Sequence, residues 1–256
     1  MTPVQLLTLI TIFFLTSVIS VVTGSTSLIT VPAMLQFGIE PRSAVAANML
    51  ALTCMSVGGS LSFRGKNMMD RRRLPWFIAL TLAGSVLGAF LLLAIPSRIM
   101  PLLLPVLMVA VAVFSFVKRD AGVVPAERKP SRGEEVAGYA ATFVLGVYGG
   151  FFSGGYVTLL TAMCVALFGM TFLQAVATTK LLNLFSSLVA TLIFMWRGLV
   201  DYRLGVLLGI VMFVGALGGG YITVRLSNLW LRRIFLVAVV ALALKTLLYD
   251  FLFKLL

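Results

Sequence analysis

Residues 136–168 read VAGYAATFVLGVYGGFFSGGYVTLLTAMCVALF, with no charged side chain along the whole run. One membrane-spanning helix needs only about 20 apolar residues, so the run is too long for a single span. Its middle is broken by Gly149-Gly150 and Ser153-Gly154-Gly155. Glycine interrupts a helix and frees backbone polar groups, which hydrocarbon tolerates only where protein or a wet cavity satisfies them. Residues 4–37 repeat the pattern: uncharged throughout, and broken at Gly24-Ser25-Thr26-Ser27.

Further apolar segments lie at 43–63, 74–95, 99–117, 172–195, 204–224 and 231–253. The 256 residues are 61% hydrophobic and 11% charged, against about 45–50% and 25% in soluble domains. The mean hydropathy of +1.10 has the same cause. Too few polar groups exist to cover a water-facing surface, so a bilayer must supply the apolar solvent. The sequence predicts an all-α, polytopic integral membrane bundle of about eight spans, with no separate soluble domain. Membrane lipid is its expected surroundings.

The net charge of +12 sits in short loops, not along one solvated face. It therefore argues for orientation in a membrane and against nucleic acid. If eight full spans alternate, thirteen Lys and Arg fall on one side, Arg64, Lys66, Arg71 to Arg73, Arg197 and Arg203 among them. Five fall on the other, including Arg42, Arg98 and Arg225. The richer side is then cytoplasmic, as are both termini. Cys54 and Cys164 lie in apolar segments and read as small hydrophobes, not as a disulfide or metal site. No cofactor is expected. No basic residue precedes the first apolar run, so that run reads as a span, not a cleaved signal peptide.

The chain repeats itself. Ala44-Val45-Ala46 returns as Ala175-Val176-Ala177, and Gly84 and Gly88 return as Gly215 and Gly219, both displaced by 131 positions (175 − 44 and 215 − 84). Arg64-Gly65 returns as Arg197-Gly198. The expected organisation is a first transmembrane repeat over 1–117, a polar cytoplasmic linker over 118–135 and a second repeat over 136–256. Matching interruptions in two repeats mark secondary transporters. Four spans per half would make the repeats parallel, whereas re-entrant opening segments would allow them to be inverted.

Two constellations could carry chemistry. At each break, a half-helix start points free N–H groups and a positive dipole end at the gap, which attracts an anion. Gly24, Ser25, Thr26, Ser27, Ser153, Gly154 and Gly155 are the candidates there. The plainer reading of such small residues is close helix packing. The second constellation is Thr178-Thr179-Lys180-Leu181-Leu182-Asn183 inside an apolar span. Lys180 lies about 12 Å in from Phe172 at 1.5 Å per residue. A charge at that depth costs roughly 2.5–3.5 kcal/mol unless it snorkels to an interface. Buried, it would meet an anionic substrate, with Thr178, Thr179, Asn183 and, from the first repeat, Asn48 orienting the anion. Met49 stands at the repeat position of Lys180. Arg197 and Asp201, four residues apart, could pair on one helical turn as a gate, with Arg64 and Asp70 as a looser counterpart. Their plainer reading is orienting charge. The Gly84/Gly88 and Gly215/Gly219 pairs suit helix packing, and are compatible with a homodimer.

All eight carboxylates fall in loops or near span ends, and histidine is absent. A conventional proton relay has nothing to run on. An intramembrane hydrolase would have to pair Ser153 with Lys180 as base. A membrane scaffold without transport is the remaining class. An enzyme is the less expected outcome, and a small anion the expected partner.

The runs GSTSLITVPAMLQFGIEPRSAVAAN (24–48) and GGFFSGGYVTLLTAMCVALFGMTFLQAVATTK (149–180), with RGLVD at 197–201, resemble the two repeat motifs of the TauE/SafE sulfite-exporter family. The likeness covers nearly the whole chain. It departs at Gly-Ser-Thr-Ser, where the family has a Gly-Gly-Gly type run, and at Leu160 or Thr161, where a proline is expected. The resemblance implies movement of sulfite, sulfonates or related organosulfur or carboxylate anions across a bacterial inner membrane.

Overall fold

The computed structural model describes residues 1–63, 72–100 and 130–226, with Leu103, Val106, Trp230 and Arg233. Most of the expected segments 99–117 and 231–253, most of the linker, Arg64 and Asp70 lie outside the described residues.

Eight α-helices and no strands occur among the described residues: α1 Pro3–Thr23, α2 Ser27–Gln36, α3 Pro41–Leu61, α4 Leu74–Ala94, α5 Arg132–Phe151, α6 Tyr156–Phe168, α7 Phe172–Trp196 and α8 Tyr202–Arg225. Their ends follow from local chemistry. Thr2 with Gln5, Ser131 with Glu134 and Thr171 with Gln174 form reciprocal capping boxes at the starts of α1, α5 and α7, each satisfying two orphan donors. Asp201 accepts from the Leu204 amide to start α8. Gly24, Gly169 and Gly198 adopt left-handed conformations that stop α1, α6 and α7. Five helices (α1, α3, α4, α7 and α8) are long and apolar enough to cross a membrane. The two over-long segments are each a long helix, a break and a short helix.

Packing fixes the directions. Arg42, at the start of α3, donates to the carbonyls of Leu93 and Ile95 at the end of α4, and it shares a cavity with Arg197 from the end of α7. These three helix ends define one face of the bundle. At the opposite face Arg73, before α4, pairs with Glu135 of α5 at 2.5 Å. Between the faces α3 and α7 run antiparallel, with Thr53 beside Thr191, Ser56 beside Asn183 and Gly59 beside the Lys180 stem. Alongside α3, α8 runs in the same direction, with Gly205 at Leu50, Gly209 at Cys54 and Gly220 at Ser62. The Ser17 hydroxyl and Val18 of α1 in turn meet Gly215 and Gly219 of α8, again in parallel.

α1 therefore enters at the Arg42 face, and α2 returns to it. α5 enters at the Arg73 face. α6 returns there, where Phe168 packs edge-on against Phe77 at 4.8 Å and lies beneath the Arg73 guanidinium. Two helical hairpins thus enter from opposite faces. Since α3 and α7 are repeat counterparts yet antiparallel, the repeats are inverted. This corrects the expected alternation of loops. Arg197, Asp201 and Arg203 share a face with Arg42, because each broken segment turns back and does not cross.

The glycine pairs show the same symmetry. A Cβ at Gly84 would lie 2.5 Å from the Phe143 carbonyl oxygen, and one at Gly215 2.9 Å from that of Phe14. At Gly88 and Gly219 the clashes would be with the carbonyls of Val147 and Val18, at 1.9 and 2.3 Å. Both pairs of carbonyls are 129 residues apart (143 − 14 and 147 − 18). Each repeat thus packs its glycine helix on the opening helix of the other. These glycine faces are used within the chain, so they provide no dimer face. Outward, Leu7, Leu15, Leu87, Leu91, Ile210 and Val214 are exposed, as a lipid-facing surface requires. Trp76, Trp196 and Tyr202 are exposed near helix ends, where interfacial aromatics belong.

Candidate substrate site at the hairpin tips

The two hairpin tips meet inside the bundle. Gly24 (φ 71°) ends α1, and Ser153 (φ 65°), displaced by 129 positions (153 − 24), occupies the corresponding place after α5. Ser153 is the one non-glycine with positive φ among the described residues. A left-handed serine costs roughly 1–2 kcal/mol, and such strain gathers at functional sites. A Cβ on Gly24 would come within 2.6 Å of Val157 Cβ, so the tips touch where glycine stands. The Thr158 hydroxyl donates to the Thr23 carbonyl at 2.6 Å and lies 2.9 Å from the Ser25 hydroxyl. Together these contacts pin one tip to the other.

Beside the pinned tips lies a narrow crevice lined by Gly24, Thr26, Ser27, Leu52, Met55, Ser153, Val157, Lys180 and Asn183. It is too narrow to seat a water molecule as it stands.

Lys180 is fully buried and does not snorkel. Its Nζ donates to the Ser20 carbonyl at 2.6 Å, in the last turn of α1, where the carbonyl end of a helix favours a cation. No carboxylate among the described residues approaches it. Glu40, Glu134 and Asp201 cap helix starts at the two faces, and Glu135 pairs with Arg73. A buried charge facing only a carbonyl costs several kcal/mol. On the other side of the break, no acceptor among the described residues meets the amides of Ser25, Thr26 and Ser27, the orphan donors of the α2 start. Asn183 donates to Ser56 at 2.7 Å, while its Oδ1 is buried without a partner. Lys180, Thr26, Ser27 and Ser153 line the space with an ammonium and hydroxyls, and the unmet amides of Thr26 and Ser27 belong to the same lining residues, donors that suit a small oxyanion.

Other expected site residues are placed differently. Asn48 does not line the crevice. It accepts from Thr30 at 2.7 Å and donates to Ser27 at 2.9 Å, so it fastens α2 to α3. Thr179, at its repeat position (179 − 48 is 131), lies 3.1 Å from Thr161 and ties α6 to α7 in the same way. Ser25 holds the tip contact. Thr178 is buried with an unpartnered hydroxyl and is not part of the lining. Gly154 and Gly155 shape the second tip without lining the crevice. The Gly154 carbonyl accepts from Tyr148 at 2.5 Å, and Gly155 has φ 76°. Arg197 and Asp201 do not form the expected helical pair. Gly198 (φ 67°) ends α7 between them, and Asp201 is spent on capping α8. Arg197 stacks on Trp196 at 4.9 Å and lines a cavity of about 240 Å³ with Arg42, Leu93 and Leu199.

Sequence reasoning missed Ser20, Ser56, Met55, Leu52 and Val157. Ser20 acts through its carbonyl, which every residue has. Val157 and Met55 carry no chemical signature. Ser56 was recoverable only from knowing that α3 and α7 are antiparallel.

The sequence profile of the family described as "Sulfite exporter TauE/SafE" matches residues 9–246. The chain is 29% identical to "Probable membrane transporter protein ORF9" of Sinorhizobium sp, over 91% of this chain and 89% of that protein. It is 30% identical to a "Probable membrane transporter protein" of Haemophilus influenzae, over 80% and 78%. With "Probable membrane transporter protein YfcA" of Escherichia coli K12 it shares 26% over 97% and 91%. No solved structure matches the chain. A profile match across nearly its whole length, joined to an inverted pair of broken hairpins, establishes that the chain belongs to the sulfite exporter TauE/SafE family of membrane transporters.

Proposed function

We propose that the chain carries small oxyanions through the crevice between the hairpin tips: sulfite, sulfonates or related organosulfur or carboxylate anions. The observation that carries this reading is the Lys180 ammonium, fully buried and without a carboxylate partner among the described residues. Ionisable side chains inside a membrane are costly and mark substrate or ion paths. The family description supports sulfite, and the narrow crevice favours a compact anion over a long-chain one.

A Ser–Lys hydrolase is disfavoured because Lys180 is bonded to a carbonyl, whereas a base must reach the serine hydroxyl. A scaffold gains nothing from a buried ammonium. The Arg73 face is the cytoplasmic one in this reading, in a bacterial inner membrane. The runs 64–73 and 118–132, which adjoin helix ends at that face, hold ten Lys and Arg. The opposite face has Arg42, Arg98, Arg197 and Arg203, where Arg42 and Arg197 would gather anions at the mouth. The N-terminus then lies outside.

Thermal shift of the purified protein against sulfite, thiosulfate, sulfonates and short carboxylates tests the reading, since a ligand bound only by the folded state raises the midpoint. One anion class should shift the wild type, and Lys180→Met should abolish the shift. A shift of equal size in Lys180→Met would remove Lys180 from the site, and no shift with any anion would overturn the reading.

A further inference from the structure

A helix broken inside a membrane exposes two poles. The start of the second half offers N–H groups to an anion, and the carbonyl end of the first half offers oxygen to a cation. In transporters built on discontinuous helices, those carbonyl ends bind the coupling cation, sodium or a proton. Here the α1–α2 break has both poles. The amides of Ser25, Thr26 and Ser27 meet no acceptor among the described residues, and the last-turn carbonyls of α1 lie just before them in the chain. The cation place is already filled. Lys180 Nζ lies 2.6 Å from the Ser20 oxygen, which also accepts the Gly24 amide at 3.0 Å.

We propose that the Lys180 ammonium is a tethered substitute for a coupling cation, so that anion passage through this crevice requires no sodium or potassium ion and carries net negative charge across the membrane. The inference rests on the anion reading above and adds the energetics of coupling to it.

Three further observations support it. A metal ion at the Ser20 carbonyl would sit within a few ångströms of the ammonium and be repelled in a medium that screens charge poorly. The lining also lacks the carboxylate that would offset a second positive charge, since its side chains are apolar, hydroxyl, amide or Lys180. Finally, the arrangement is one-sided. The repeat position of Lys180 is Met49 (180 − 131), buried and uncharged. The inverted pair of hairpins therefore has one cationic side chain at its centre, enough for one monovalent anion. Binding neutralises the crevice, and the anion would share the Lys180 ammonium with the Ser20 carbonyl that now accepts from it. The ammonium stays with the protein, so each anion that leaves moves its own charge. An inside-negative membrane then drives export.

The test uses the full chain in liposomes, with radiolabelled sulfite as probe and methanesulfonate, a strictly monovalent anion, as a second. Rates measured in sodium, potassium or N-methylglucamine salts should agree within about twofold. An inside-negative potential imposed with potassium and valinomycin should speed efflux severalfold. Lys180→Met should lose at least tenfold in rate in N-methylglucamine, while Lys180→Arg should keep part of the activity. A wild type that needs sodium or potassium, or that ignores the imposed potential, overturns the proposal, and these two arms need no variant to fold. Lys180→Met moving sulfite at the wild-type rate overturns it as well. If neither probe moves in any salt, the anion reading falls and takes this inference with it.

Discussion

At the scale of single residues, Gly24 and Ser153 separate conformation from chemistry. Both hold φ near +70° at matching tips, but only Ser153 adds a hydroxyl to the crevice. Gly24→Ala should lower stability by about 1–3 kcal/mol, through the left-handed strain and the Val157 contact. Denaturation in detergent would read this, and an unchanged midpoint would mean that the tip relaxes freely. Ser153→Gly should do the reverse for stability, relieving roughly 1 kcal/mol, yet weaken anion binding. A variant both more stable and equally tight would reduce Ser153 to a turn residue. Lys180 was legible in the sequence because a charge within an apolar span has few explanations. Asn48 was not: its amide gives the same letter whether it faces a ligand or, as here, clamps Ser27 and Thr30.

Among the elements, the decisive contacts are those between glycine helices and opening helices. The Gly88–Val147 and Gly219–Val18 approaches are repeat equivalents. Valine at either position puts side-chain atoms into a backbone carbonyl, an overpacking that costs typically 1–3 kcal/mol and often more. Gly88→Val and Gly219→Val should therefore damage folding to a similar degree, seen as loss of monodisperse protein on size exclusion. Gly218→Val, where a Cβ meets nothing within 4 Å, should be harmless. A tolerated Gly88→Val would contradict the close crossing of α4 and α5. The sequence announced these glycines by their shared offset of 131 positions. It could not say which helix each would meet, since the partner comes from the other repeat.

For the whole molecule, topology is the testable quantity. With Cys54 and Cys164 replaced by alanine, single cysteines at Thr2 and Tyr202 should be labelled by a membrane-impermeant reagent from one side, and one at Gly133 from the other. Thr2 and Gly133 reacting from the same side would refute the paired hairpins. Helix existence was legible because 20-residue apolar runs allow little else. The sidedness was not, because the parity of crossings depends on whether residues 4–37 and 136–168 traverse the bilayer or turn back, and glycine breaks permit both. Arg197 was misplaced for that reason alone.

The exchange of opening helices also sets a condition on how the chain is made. α1 (Pro3–Thr23) enters the bilayer long before α8 (Tyr202–Arg225) leaves the ribosome, yet Ser17 and Val18 find their seat only on α8. Until then the first repeat waits in lipid with its crossing surface unfilled and its short α2 unsupported from the far side. Synthesis of the second repeat is thus the assembly step for the first, and a ribosome that stalls in the linker would release a half-chain fit for degradation.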